Sequence, residues 1–230
     1  MRSRRPRQLS FHDYRMRSGR GGPRKGAGRK PSARPVIHHV GRESFSDLRA
    51  GHVTVRVSSE IPDLRCESFV DEIRRSFRQT CERGDFRLVH YSVQSDHVHL
   101  VVEAHGSDAM GRGMKSLSSR IARAVNRVFG HMGKVLEGRY HLHLLKTVAE
   151  AWNALRYVLL NAHKHFWRRF GQKPPPQVDW ASSGRHFEGW AHRVPGTRDG
   201  PREAARPQSW LLREGWKRKG LIDPCAIPGI

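Results

Sequence analysis

The chain has 230 residues, a formal net charge of +22 and three cysteines. A field of that sign and size is complementary to a polyanion, nucleic acid first. Cys66, Cys81 and Cys225 are an odd set with neither paired nor metal-type spacing, which excludes a disulfide framework and fits reduced thiols in a cytosolic protein. No run approaches about 18 consecutive apolar residues, and the basic N-terminus lacks the apolar segment of a signal peptide, so neither a membrane span nor secretion is expected.

Residues 1–36 carry twelve Arg and Lys against a single Asp, half of the net charge. They hold too little aliphatic surface to offset the entropy of ordering, and a disordered basic arm is expected. Within it, "GGPRKGAGRKP" sets glycines beside Arg24, Lys25, Arg29 and Lys30, a pattern that lets an extended backbone approach a DNA groove while the cations reach in. The plainer reading is a tail that meets phosphate without preference.

A folded domain is expected over 37–171. "GHVTVRV", 51–57, alternates Val53, Val55 and Val57 with polar residues and predicts a strand. Phe69, Val70, Ile73, Phe77 and Cys81 recur at helical spacing over 66–84, with Gly84 as the stop. "FRLVHYSVQSD" and "HVHLVVEA" predict two strands joined by a polar turn near Ser95 and Asp96. Met114, Leu117, Ile121, Val125 and Val128 predict a helix over 108–130, "RYHLHLLKT" a fourth strand over 139–147, and 148–171 a closing helix ended by Gly171. The order β-α-β-β-α-β followed by a helix is the split βαβ, ferredoxin-like pattern of an α+β fold, in which the third strand is central. Residues 172–230 begin with the proline-rich "QKPPPQVDWASSG" and continue with scattered tryptophans and one short helical piece, "QSWLLREGWKRKGLI". They predict an irregular tail packed through aromatics, with stacking of Trp and Arg on unpaired bases as the alternative.

On the third strand His97 and His99 face the same way as Val101 and Glu103, while Val98, Leu100 and Val102 face the core. Two imidazoles side by side on the open face of a central strand can chelate one divalent ion. They can equally be two solvated side chains, and His141 and His143 repeat the same spacing on the fourth strand; periodicity does not choose between the pairs. On the closing helix Ala151, Leu155, Val158, Leu159, Ala162 and Phe166 share an apolar side. Glu150, Asn153, Asn161 and Lys164 cluster around Tyr157 on a polar one. Tyr157 and Asn161 are four apart, so both can reach one small object.

"HVHLVV" followed some sixty positions later by "YVLLN" resembles the single-tyrosine HUH transposases, within them the REP-associated tyrosine transposases and their IS200-like relatives. The resemblance covers roughly 37–171 and, more loosely, "GAGRKP" and "WLLREGW". It implies His97, His99 and Asn161 as ligands of Mg²⁺ or Mn²⁺, Tyr157 as the nucleophile on the closing helix, and no ligand role for His141 and His143. It also implies a bacterial protein on the nucleoid, acting on single-stranded or hairpin DNA as a metal-dependent endonuclease and strand transferase through a 5′-phosphotyrosine, as a monomer or a homodimer. Asp96 departs from the family, where Asn usually precedes the first histidine. The chemistry fits the residue types. A phenol of ordinary pKa is a poor nucleophile at neutral pH, and a cation on the scissile phosphate makes phosphorus more electrophilic. With bond energy kept in the phosphotyrosine, no nucleotide cofactor is needed, and the chain has no Walker motif. The alternatives are a replication or mobilisation initiator nuclease and a domesticated protein that binds DNA hairpins without cleaving them.

Overall fold

The computed structural model of the protein describes residues 41–175, 177–195 and 200–228. The basic arm, with Arg24, Lys25, Arg29 and Lys30, lies outside these residues. Glu43–Ile230 form one compact unit. Its strands β1 (Leu48–Arg56), β2 (Glu82–Arg83), β3 (Phe86–Val93), β4 (His97–His105) and β5 (His141–Leu145) make one antiparallel sheet in the order β2-β3-β4-β1-β5. The helices are α1 (Glu67–Arg78), α2 (Ser107–Phe129), α3 (Val148–Phe170) and the short α4 (Trp210–Arg213), with 3-10 turns at Ser183–His186 and Gly215–Lys219. The class is α+β. Chain that leaves β1 returns through α1 to β3, and β4 inserts between these two strands, so the strand that starts at His97 lies inside the sheet.

Each face of the sheet has its own core. Val53 and Val55 of β1, Val57 just after it, and Val98, Leu100 and Val102 of β4 pack against Phe69, Ile73 and Phe77 of α1 and Met114, Leu117 and Ile121 of α2. Burying each such side chain contributes about 1.5–3 kcal/mol. The alternation that puts these valines on one face puts His52, Thr54 and Arg56 on the other. In β3 a bulge between Leu88 and His90 adds a residue. It sends Val89 into the second core while Leu88 and Tyr91 remain in the first.

Two expectations about element ends and faces are corrected. The first helix stops at Arg78 and not at Gly84. Thr80 turns the chain by donating from its backbone N–H to the Phe77 carbonyl and from its hydroxyl to the Ser76 carbonyl. Gly84, at φ +43°, then makes the β2–β3 hairpin turn, a left-handed conformation that suits glycine. The histidine face of β4 is not open either. Val101, Ala50, Val89 and Leu145 pack against Ala151, Leu155, Val158 and Leu159 of α3 and against Phe187, Leu212, Trp216 and Ile222 of the tail. The tail is therefore structural at Trp216, which is 3% exposed, while Trp180 (44%) and Trp210 (49%) stand out from it. The expected helical piece in the tail is α4 followed by the 3-10 turn Gly215–Lys219.

Candidate active site

The position of α3 is fixed at both ends. Thr147 caps its start, accepting from the Glu150 backbone N–H at 3.1 Å, while Glu150 Oε2 accepts from the Thr147 N–H at 3.0 Å. Gly171, at φ +64°, ends it in a left-handed cap. Between these caps the apolar positions of α3 seat it on the sheet, and Tyr157 comes to lie over β1 and β4. Its ring centre is 5.0 Å from that of His99 and 5.8 Å from that of His52, in edge-on contacts at 79° and 65°. Lys164 Nζ, two turns along, is 5.7 Å from the centre of the Tyr157 ring.

The two histidines of β4 converge: His97 Nε2 and His99 Nε2 are 2.9 Å apart. Each ring is held from behind. Partial burial raises the Asp96 carboxyl, but the His97 hydrogen bond and the charges of His97 and Arg56 outweigh it and keep the group below its ordinary pKa. An ionised carboxylate only accepts, so His97 Nδ1–H donates to Asp96 Oδ1 at 2.6 Å, which leaves Nε2 as the His97 nitrogen turned toward His99. Against His99 Nδ1 lie the Thr54 hydroxyl at 3.1 Å and His52 Nε2 at 3.2 Å. Burial first, and then the neighbouring His97 and His52, push the His99 pKa down to about 2. With the His99 proton on Nδ1, its Nε2 lone pair faces His97 Nε2, and at that separation a proton or a cation lies between the two nitrogens. Neutral imidazole nitrogens backed by a carboxylate and a hydroxyl are a donor set suited to a divalent metal.

Asn161 corrects the polar-side expectation. It is 1% exposed and, among the described residues, its Nδ2 has no hydrogen-bond partner. Sequence periodicity put Asn161 with Tyr157 on the polar side of the helix, but α3 is covered by the sheet on one side and by the tail on another, so part of that stripe is buried. For the same reason Leu160, absent from the expected apolar set, is 1% exposed, while Ala162 and Phe166 are only half-buried. Among the described residues nothing bonds the Asn161 amide nitrogen, so turning the amide over costs no protein hydrogen bond at that atom. Among the described residues no group of three or more His, Cys, Asp or Glu is arranged to hold a metal ion. The predicted set is of another kind, two imidazoles and one amide.

The rival pair lies on the same face but further out. β1 separates the two, with Thr54 opposite His99 on one side and His141 on the other, and His52 opposite His143. Two strand spacings put His141 about 10 Å from His99. Both residues of the pair are exposed, and His143 Nε2 is 3.6 Å from Glu150 Oε1. Sequence reasoning missed His52 and Thr54. Their signal was present, because residues between Val53, Val55 and Val57 must share a face. What was lacking was the pairing of β1 with β4. His52 is kept neutral, its pKa pushed down to about 4 by burial first and then by His143 and His141. With His143, Asn153, Arg156, Tyr157 and Pro228 it lines a cavity of about 510 Å³ beside the tyrosine.

Comparisons with known proteins give this site a context. Residues 51–158 match the family model "Transposase IS200 like". No curated protein matches the chain. A REP-associated tyrosine transposase solved bound to a REP hairpin aligns at 16% identity and a TM-score of 0.43, covering 66% of this chain and 96% of that one. A protein of Deinococcus radiodurans R1, assigned as a transposase, aligns at 21% identity and a TM-score of 0.36, covering 49% of this chain and 89% of that one. Among the described residues no helix is long and apolar enough to cross a membrane.

Proposed function

We propose that the protein is a metal-dependent single-stranded DNA endonuclease and strand transferase that works through a 5′-phosphotyrosine, in transposition or in the processing of hairpin repeats on a bacterial nucleoid. The observation that carries this reading is the convergence of His97 Nε2 and His99 Nε2 at 2.9 Å with the Tyr157 ring 5.0 Å from His99. The match to the IS200-like family model supports it. His97, His99 and Asn161 would hold Mg²⁺ or Mn²⁺, which when bound supplies charge stabilisation at the scissile phosphate. Asp96, Thr54 and His52 contact the Nδ1 atoms of the imidazoles and would leave both Nε2 atoms to the ion.

The remaining work falls to the chain itself. The Tyr157 oxygen attacks phosphorus and loses its proton. The P–O3′ bond breaks and the 3′ oxygen leaves as a hydroxyl, taking up a proton. Lys164 stands close enough to offset the phenolate charge as it develops and to meet the DNA backbone. The released 3′ hydroxyl can attack the phosphotyrosine in reverse, so strand joining needs no further energy source. The cations of the arm, Arg24, Lys25, Arg29 and Lys30, contribute phosphate contacts that hold the strand. His97→Ala or His99→Ala should abolish metal-dependent cleavage of a single-stranded oligonucleotide, and His141→Ala should leave most of it. Equal loss from His141→Ala and His143→Ala in folded protein would move the site to β5.

A further inference from the structure

Trp180 is a large aromatic side chain left 44% exposed on a segment that is otherwise firmly held. Asp179, buried beside it, accepts from Arg65 Nη2 at 2.7 Å and from Arg65 Nη1 at 3.1 Å, and Arg65 Nη1 also donates to the Val93 carbonyl at 2.8 Å. The Trp180 carbonyl accepts from Arg74. The Val93 N–H donates to the Ala181 carbonyl, and Ser182 bridges Ser92, so this segment runs along the free end of β3. The Arg65 guanidinium lies 5.6 Å from the centre of the Trp180 ring. One side of the indole is thus taken by a clamped arginine, and much of the rest faces solvent.

The sheet register places this ring near the candidate active site. Ser92 pairs with His99 on one side and bridges Ser182 on the other, which puts the segment two strand spacings, about 10 Å, from His99. His165 of α3 lies in one neighbourhood with His97, Arg168, Arg65 and Lys164, so Arg and Lys side chains stand near the ground between.

We propose that Trp180, backed by Arg65, is a stacking platform for an unpaired base of the DNA strand whose reacting phosphate lies at Tyr157. The location of that phosphate rests on the function proposed above; the stacking itself does not. An indole face accepts any base, while the surrounding cations follow the backbone, the combination that suits single-stranded DNA. A rigid, preorganised ring loses little entropy on binding, and the Arg65–Asp179 pair supplies that rigidity.

The test compares binding of an oligodeoxythymidine with that of an abasic oligonucleotide of equal length, which keeps the phosphates and removes the bases. It uses the full chain carrying Tyr157→Phe, without metal, so no cleavage is required. The parent should prefer the base-bearing strand. Trp180→Ala should weaken that strand about 5- to 150-fold, the value of one stacked base, and leave abasic binding unchanged. Trp180→Phe should retain most of the preference. Trp210→Ala serves as a control at the far end of β4, where Ser209 bonds Glu103, and should change little. Retention of the preference by Trp180→Ala would overturn the proposal, and so would an equal loss on both strands. Failure of the wild-type chain to attach to DNA through Tyr157 would defeat the catalytic reading alone.

Discussion

Glu103 ends the inward-facing run of β4 and is 0% exposed, yet it bears a carboxylate. Its Oε2 accepts from the Gln208 backbone N–H at 2.7 Å, and its Oε1 from the Ser209 N–H at 2.9 Å and the Ser209 hydroxyl at 2.5 Å. Ser209 in turn caps α4, accepting from the Leu212 N–H at 3.3 Å. One side chain thus ties the tail to the strand that carries His97 and His99. Glu103→Ala removes three charge-assisted bonds and leaves two backbone donors without their acceptor. Such bonds contribute about 1.5–3 kcal/mol each, but water admitted to the gap recovers part, so a net loss of about 3–5 kcal/mol is expected. For a chain of this size that corresponds to a fall in Tm of roughly 6–20 °C. Glu103→Gln keeps one acceptor oxygen and should lose about half as much. Thermal melts followed by circular dichroism, with limited proteolysis of the tail, measure both. A Tm within about 2 °C of the parent for Glu103→Ala would refute the view that this carboxylate anchors the tail.

Two further outcomes follow. His90 is buried beneath the tail, and burial first, then Arg202 and His186, push its pKa down to about 3. The unfolded chain binds this proton near pH 6.5 and the folded chain does not, so stability falls as the pH drops from about 6.5 toward 3, by about 2 kcal/mol at pH 5. His90→Gln should flatten the dependence of urea midpoints on pH across that window, and an unchanged slope contradicts it. Asn161→Ala should lower cleavage in Mg²⁺ by more than the ~10–100-fold typical of residues that only orient a ligand, with partial recovery in Mn²⁺, which imidazole suits better. Cleavage rate against concentration of each ion decides, and normal activity in low Mg²⁺ removes Asn161 from the metal set.

Much of the architecture was written in local patterns. The alternation of Val53, Val55 and Val57 and the 3.6-residue periods of α2 and α3 are short-range signals, and Gly130 and Gly171 stop the two helices where expected. What covers the second sheet face was not legible. The tail reaches it through Phe187, Leu212, Trp216 and Ile222, whose spacing has no period and whose burial depends on contacts far apart in sequence. Asn161 shows the same limit: a helical wheel sorts residues by side, but not by how many sides are covered. At the candidate site, His97 and His99 could be singled out by spacing but not separated from His141 and His143. Only the register of β1 against β4 and β5 shows which pair lies beneath Tyr157, and the same register brings in His52 and Thr54.

The central claim is that Tyr157 joins covalently to DNA. The direct measurement incubates the wild-type chain and Tyr157→Phe with labelled single-stranded DNA carrying its cleavage site and Mg²⁺ or Mn²⁺, then resolves the products under denaturing conditions. The wild-type chain is predicted to give a labelled protein band that survives denaturation, and Tyr157→Phe to give none while binding the same DNA nearly as tightly. An adduct formed by Tyr157→Phe would contradict the account and move the nucleophile to another tyrosine, Tyr140 or the fully buried Tyr91.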